Sequence, residues 1–582
     1  MAVLRIGHMS AGCLRCWRAA FAGCLVRSRA AFAAIGAALA LVLAVAACSS
    51  HGSQGSTGGS SGFLRLGTIA ALNSLNPWVT TDQLSLDVQS DIYPRLIQYN
   101  LSTMTFEPDF ATSWKLSNGG RTLTFAIVPH AKWSDGKPLT AQDAAWTINT
   151  MVRLRKGAGA LWASTVVDIV RATATSPTSL TLTYSKPTAN PLANLEQIPV
   201  LPEHIWGPLA AGAGKKLRTV SNQPTAGHPI VSGGPFILVK YTYQQVLVLE
   251  RNPSYYGQRP HISGFGVELF SNDDALIAAM RAGTIDAATG DPNLPATDVR
   301  PLRAAGMKII APPSVAYNDL IINTNPAKIG HRELLNPLVR EAFEYAIDRN
   351  TIDKIAFLGY AQPGSSIVPP ASGNWYDSAI KPLPFDLAKA NELLNQAGYH
   401  KGPGGIRVAD GHPMSYTVYL STDNGPPGVR TGQIMTADFA KIGVKLNFQP
   451  TSDNPLNSTI FADHYRKFDL AMWGWDTFID PTYILDVVTC SQWYNNSDSG
   501  YCNHRYDQLF AAQAAATNPA QRLKIVYQMQ QMIFNARPYI VLQYLDALEG
   551  WSSKWCHVTV SPDGWMTQLS SDAQTGIRLC HG

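Results

Sequence analysis

An excess of charge of either sign is the first thing this sequence lacks. The formal +5 of the 582-residue chain belongs to Arg5, Arg15, Arg18, Arg27 and Arg29, in a stretch with no acidic residue; from residue 48 onward 41 basic and 41 acidic side chains balance. A nucleic-acid binder needs a basic surface, and this chain offers none. Metal and catalytic signatures are also missing. There is no H-E-x-x-H, and the 13 histidines are scattered. Ser134-Asp-Gly-Lys137, Ser452-Asp453-Asn454 and Arg430-Thr-Gly432 approximate the penicilloyl-serine set. Ser134, however, falls in an Asp135-Gly136 turn rather than at a helix start, the other two motifs come in reversed order, and Arg430 replaces the lysine. The GAGKK run near Gly212 lacks the spacing and the Ser/Thr of a phosphate loop. These absences point to a binder with no catalytic residues, no metal site and no cofactor.

Cysteine is scarce and its placement is informative. Cys13, Cys16 and Cys24 lie among the five arginines, ahead of a charge-free apolar run of 18 residues, Ala30 to Ala47. A basic stretch followed by an apolar one ending in small side chains is the pattern of an export signal. Val45-Ala46-Ala47-Cys48 resembles the lipobox of bacterial lipoproteins, which implies removal of residues 1–47 and a diacylglycerol on Cys48. An uncleaved N-terminal anchor would leave the same domain on the same side of the membrane. Residues 48–62 then form a lipidated Cys and a Gly/Ser tether, too polar to order itself and spanning about 20 Å as a flexible chain. Of the remaining thiols, Cys490, Cys502, Cys556 and Cys580, three pairings are possible in an exported protein. The sequence-local one, Cys490–Cys502 and Cys556–Cys580, is preferred.

The roughly 520 residues beyond the tether exceed one core, so two or three domains are expected. Strand and helix signals alternate. Leu123, Phe125 and Ile127 share one face at period two, as do Leu180, Leu182 and Tyr184. Asn336 before Pro337 and Asp386 before Leu387 read as helix caps, with Gly398 suited to the left-handed position that ends the second helix. The class is mixed α/β. One stretch, FDLAMWGWDTFIDPTYIL from Phe468 to Leu485, concentrates aromatics around Asp476 and Asp480. A strand entered at Phe468 puts Trp475 and Asp476 near its end, where α/β sheets bind ligands. An aromatic wall beside a carboxylate suits a ligand with an apolar body and a cationic end; the same residues could equally be core and turn caps. Trp475 is the favoured wall residue and Trp473 the second, with Gly474 a candidate bulge.

A series of blocks in order resembles the family 5 bacterial extracellular solute-binding proteins, the peptide- and nickel-binding class of ABC importers. They are AKWSDGKPLTAQDAAWTIN, LPEHIW, GGPFILVKY, LERNPSYYG, LVREAFEYAIDRNTI, IVPP, DLAKANELLNQAGY and KFDLAMWGWDTFIDP. The resemblance implies a two-lobed periplasmic-binding-protein type II fold (cluster C) with an extra subdomain in lobe I. The expected layout is lobe I at 63–96, the extra subdomain at 97–198, lobe I again at 199–313, lobe II at 314–544 and a lobe I return at 545–582. The two crossings, near Pro313 and Tyr544, would form a hinge. It further implies a monomer on the extracytoplasmic face of the cell membrane, held by its lipid anchor, that captures an oligopeptide and delivers it to permease subunits. Another solute, such as an oligosaccharide or a metal chelate, is the alternative, and an extracytoplasmic hydrolase a more distant one. In peptide-binding relatives an Asp of this block pairs with the ligand's α-ammonium, three residues before the acid that precedes Pro. Thr477 stands there in this chain, so carrying the role to Asp476 requires a one-residue shift. Tyr317 and Tyr544 are expected at the cleft rim.

Overall fold

The computed structural model describes residues 62–580 apart from 71, 81, 101–104, 164, 189–190, 226, 290–293, 494–495 and 560–574. The leader, Cys48 and the tether up to residue 61 lie outside the described residues. No described helix is long and apolar enough to cross a membrane.

Two large mixed sheets organise the chain. The first has seven strands in the order Met307–Ile310, Glu549–Ser552, Ala287–Ala288, Phe63–Thr68, Gly264–Leu269, Val246–Arg251 and Phe236–Thr242. Phe63–Thr68 runs parallel to both its neighbours. A four-stranded antiparallel sheet (Ala111–Ser117, Thr122–Ile127, Ser179–Tyr184, Ile169–Ser176) is inserted in sequence between Phe63–Thr68 and Phe236–Thr242 of the first sheet. Its alternating Leu123, Phe125 and Ile127 are buried, and they belong to one continuous core with Leu64 and Leu66 of the first sheet. The helix Ala141–Leu154 covers this small sheet, started by a capping box in which Thr140 and Asp143 satisfy each other's backbone N–H groups. Ser134 sits in the turn before that helix, where Gly136 is left-handed and the Ser134 hydroxyl accepts from Ser232 N. It does not open a helix, as a penicilloyl serine must.

The second sheet has six strands, ordered Ala361–Pro363, Tyr539–Asp546, Pro313–Ile322, Leu470–Asp476, Ser415–Ser421 and Lys445–Thr451. Helices Pro337–Tyr345, Leu387–Gln396 and Gly425–Lys441 pack on one face around Phe343, Leu394 and Phe439. Asn336 and Asp386 cap the first two by accepting from Leu338 N and Lys389 N, and Gly398 has φ +88°. The other face is covered by His504–Ala515 and Pro519–Ala536 around Tyr506, Val526 and Met529. Disulfides join Cys490 to Cys502 and Cys556 to Cys580, the sequence-local pairing.

The chain passes from the first sheet to the second between Ile310 and Pro313, and back between Asp546 and Glu549. These two passages are bonded to each other: Ala547 N donates to Pro312 O at 2.8 Å, and the Ser314 hydroxyl donates to Leu545 O at 2.8 Å.

Candidate functional site

Beside the crossings, residues reached from both sheets line a cavity of about 860 Å³. The strand Leu470–Asp476 brings Trp473, Gly474, Trp475 and Asp476 to it; its neighbour Pro313–Ile322 brings Ala316, Tyr317 and Asn318. The register sets which residues meet. Asp476 lies opposite Ala316, Trp475 opposite Tyr317, Gly474 opposite Asn318 and Trp473 opposite Asp319. In this ladder Trp473, Trp475 and Tyr317 share one face, while Asn318 and Asp476 share the other.

The register is unbroken from Asp476 to Leu470, so Gly474 is not at a bulge. The glycine answers to close approach instead: a Cβ there would stand 2.6 Å from Asn318 Oδ1 and 3.0 Å from the Tyr317 carbonyl oxygen. Gly474→Ala is therefore expected to cost about 1–3 kcal/mol of stability by overpacking, read from the denaturant midpoint. An unchanged midpoint would mean that Asn318 swings aside freely.

Asp476 ends its strand with more than a third of its surface open to the cavity, and no described residue donates to it or pairs with it. The surrounding protein desolvates it and lifts its pKa above the usual carboxylate range. Asp480, four residues on, has the opposite environment. Its carboxylate receives a two-pronged pair from Arg522 at 2.7 and 2.8 Å and bonds from the Thr482 N–H and hydroxyl at 3.0 and 2.6 Å. Burial pushes this group upward, but the Arg522 bonds and charge outweigh it and hold the pKa low. Thr477, between them, donates its hydroxyl to Val315 O at 2.8 Å and is buried, so the position where the family's aspartate usually falls carries a group already spent on the backbone.

Trp475 and Trp473 are half-buried cavity-lining residues, and Trp475 packs edge-on against Tyr483 with ring centroids 6.3 Å apart. Its indole N–H is buried with no acceptor among the described residues. Tyr317 lines the cavity as part of its wall rather than its rim, being only 1% exposed. Tyr544 is not at the cavity at all. It faces the core opposite Tyr317, where its hydroxyl accepts from Ser365 N and Ser366 N at 3.1 and 2.7 Å and bonds to Ser366 O at 2.9 Å. Nearness to a crossing suggests the rim, but Tyr544 points to the same sheet face as Tyr317, one strand further from the cavity, and its ring is enclosed in the core beneath the Ser365–Ser366 backbone.

The cavity also contains residues that the sequence did not assign to a ligand site. Asp423, Asn424 and Arg430 come from the end of Ser415–Ser421 and the helix after it, and Asp546 from the return passage. The run Asp423-Asn-Gly-Pro-Pro427, a helix start directly after a strand, was a usable signal for the first of these. Asp273, Asp274 and Asp298 come from the first-sheet side and look locally like ordinary helix starts. Among the described residues, the one group of three or more His, Cys or carboxylate side chains close enough to share an ion is Cys490, Cys502 and His504, and a disulfide already consumes both thiols.

Comparison with known proteins gives a consistent result. A family model described as bacterial extracellular solute-binding proteins, family 5, matches residues 105–496. Protein XP55 of Streptomyces lividans is 26% identical over 552 residues, covering 93% of each chain. Among solved structures, the periplasmic binding protein DppA of Helicobacter pylori, in complex with the peptide STSA, has a TM-score of 0.69 at 23% identity and covers 89% of this chain and 98% of its own. NikZ of Campylobacter jejuni, in complex with Ni(L-His), has a TM-score of 0.71 at 20% identity and covers 89% and 99%. Two lobes of mixed α/β structure are common to these folds.

Proposed function

Because the chain belongs to the family 5 bacterial extracellular solute-binding proteins, we propose that it is the capture component of an ABC importer, taking an oligopeptide between two lobes and releasing it to a permease. The observation that carries this is Asp476: a carboxylate that no described residue pairs with, at a strand end inside a two-sided cavity that Trp475 also lines. The lobes follow the sheets. Lobe I comprises residues 63–96, 199–313 and 545–582, with the extra subdomain at 97–198, and lobe II comprises 314–544. Closure about the paired crossings brings Asp476 and Trp475 against the first-sheet side, and a ligand touching both walls stabilises the closed form. The protein binds and does not turn over its ligand.

In this reading Asp476 receives the α-ammonium of the peptide, Trp475 stacks on its first residues, and Trp473 and Tyr317 complete the wall. A hydrogen bond to a charged group contributes about 1.5–3 kcal/mol, so Asp476→Asn is expected to weaken peptide binding by about ten- to a hundredfold. Isothermal calorimetry with a short-peptide library measures it. Equal affinity of wild type and variant would remove Asp476 from the role. Absence of any peptide binding to wild type would favour a different solute. Thr477 in the usual aspartate position supports that second reading, and NikZ, a protein of the same fold, is known in complex with a nickel–histidine chelate.

The mature protein is a monomer held on the outer face of the cell membrane through acyl chains on Cys48. Cys48→Ser is expected to shift it from the membrane pellet to the soluble fraction or to leave it as precursor. A variant that fractionates and migrates like wild type overturns the anchoring.

A further inference from the structure

The charge of the cavity wall is one-sided where the chain as a whole is balanced. Asp423 and Asp476 line it from the second-sheet side, Asp546 from the return passage, and Asp273, Asp274 and Asp298 from the first-sheet side. Arg430 is the one cationic side chain among the described lining residues. Six carboxylates to one guanidinium is not what a chain with 41 bases and 41 acids beyond its leader gives by composition. Asp273 and Asp274 occupy the first turn of the helix Asp273–Ala282, where the helix dipole favours them. That explains their presence on the helix but not the acids of four other elements facing the same space.

A second observation points the same way. Asn318 is only 9% exposed, lines the cavity, and its side-chain amide bonds to no described residue. The residue is packed on its other sides, so its amide atoms are open to the cavity and free to bond a ligand there. Its Oδ1 lies over Gly474, on the sheet face that also carries Asp476. A carboxylate and an amide oxygen side by side form an acceptor pair for an N–H-bearing cation.

We propose that the solute bound in this cavity carries at least two positive charges, one received by Asp476 with Asn318 and another by the carboxylates of the facing wall. The inference rests on the cavity being the ligand site, as the capture reading holds. The shared chemistry is two or more ammonium or guanidinium groups on one flexible body, whether a short basic peptide or a linear polyamine. It also accounts for ligand-driven closure: without a ligand, the acidic walls oppose each other's approach, and a cation reaching both removes that opposition. A solute with a single charge satisfies one wall only.

Calorimetry on the full chain, stripped by unfolding and refolding, tests it with four probes: Ala-Ala-Ala, Glu-Ala-Glu, Lys-Ala-Lys and spermidine. The expected result is that Lys-Ala-Lys or spermidine binds at least about tenfold more tightly than Ala-Ala-Ala, an advantage that falls with added salt. The double variant Asp273→Asn/Asp274→Asn is expected to erase about tenfold of the dication's affinity and leave that of Ala-Ala-Ala unchanged. If Ala-Ala-Ala and Glu-Ala-Glu bind as tightly as Lys-Ala-Lys, the charge inference is overturned while peptide capture stands. If spermidine binds and no peptide does, peptide capture falls and the inference stands. If neither cationic probe binds, the inference is overturned.

Discussion

Arg522→Ala is expected to destabilise the protein by about 3–5 kcal/mol, the cost of leaving a buried carboxylate without its cation. Arg522 is enclosed on every side. Its two terminal nitrogens hold both oxygens of Asp480, its Nε donates to Gln513 at 2.9 Å, and its plane lies 4.5 Å from the centre of the Trp375 ring. Side-chain exposure of the pair is 7% and 16%, so little water is available to take over the carboxylate. Lysine at 522 restores the charge but not the fork or the stack, and should fall between wild type and alanine. The measurement is the urea midpoint and slope. An alanine variant within about 1 kcal/mol of wild type would show that Asp480 finds other partners, Thr482 foremost. The double change Arg522→Met/Asp480→Asn removes both charges and should recover much of the loss.

Between pH 4 and 7 the second sheet should become less stable as pH rises, the reverse of the usual carboxylate effect. Asp498 is buried behind the aromatic wall, and burial lifts its pKa to about 7 although the Tyr539 hydroxyl donates to it. In the unfolded chain it ionises near 3.9. Between those values the native state keeps a proton that the unfolded state has lost, so native stability is greatest below about pH 4 and declines as pH rises through about 7. The slope is about 1.4 kcal/mol per pH unit, or about 4 kcal/mol in all. Asp319, fully buried with no described donor to either oxygen, is also lifted by burial and by the charge of Asp498, and adds to the same trend. His331, raised chiefly by its bond to Asp469, contributes a slope of the same sign. For Asp286, Asp469 and Asp480, burial works upward but cationic partners hold them low, so their titration lies below this window. Comparing wild type with Asp498→Asn removes this group together with its push on Asp319. Unfolding midpoints from pH 4.5 to 8 should fall for wild type and stay flatter for the variant, and parallel curves would rule Asp498 out.

Local pattern made the elements legible. Asn336 and Asp386 were readable as caps because a short acceptor before a helix has one good use, and Gly398 because few other residues take positive φ. The aromatic block was readable as a strand end because Gly, Asp and Pro stop a β pattern. What failed was information carried by the neighbouring strand. A glycine inside a strand signals either a bulge or a close approach, and only Asn318 opposite Gly474 decides between them. Tyr544 lies near a crossing in sequence, yet its direction is fixed by pairing with Tyr317, more than two hundred residues earlier. The acids of the facing wall were invisible for the same reason. Each sits at a locally ordinary helix start, and only the meeting of distant segments makes them one surface.

The two passages between the sheets run side by side and are stitched by Ala547 to Pro312 and by Ser314 to Leu545. Two strands laced edge to edge behave as a ribbon. A ribbon flexes readily across its flat face but strongly resists bending within its own plane, since that would stretch one edge against the other. If closure runs through these crossings as proposed, such a ribbon would confine the lobes to swinging along a single arc, with opposing residues meeting in the same register at each closure.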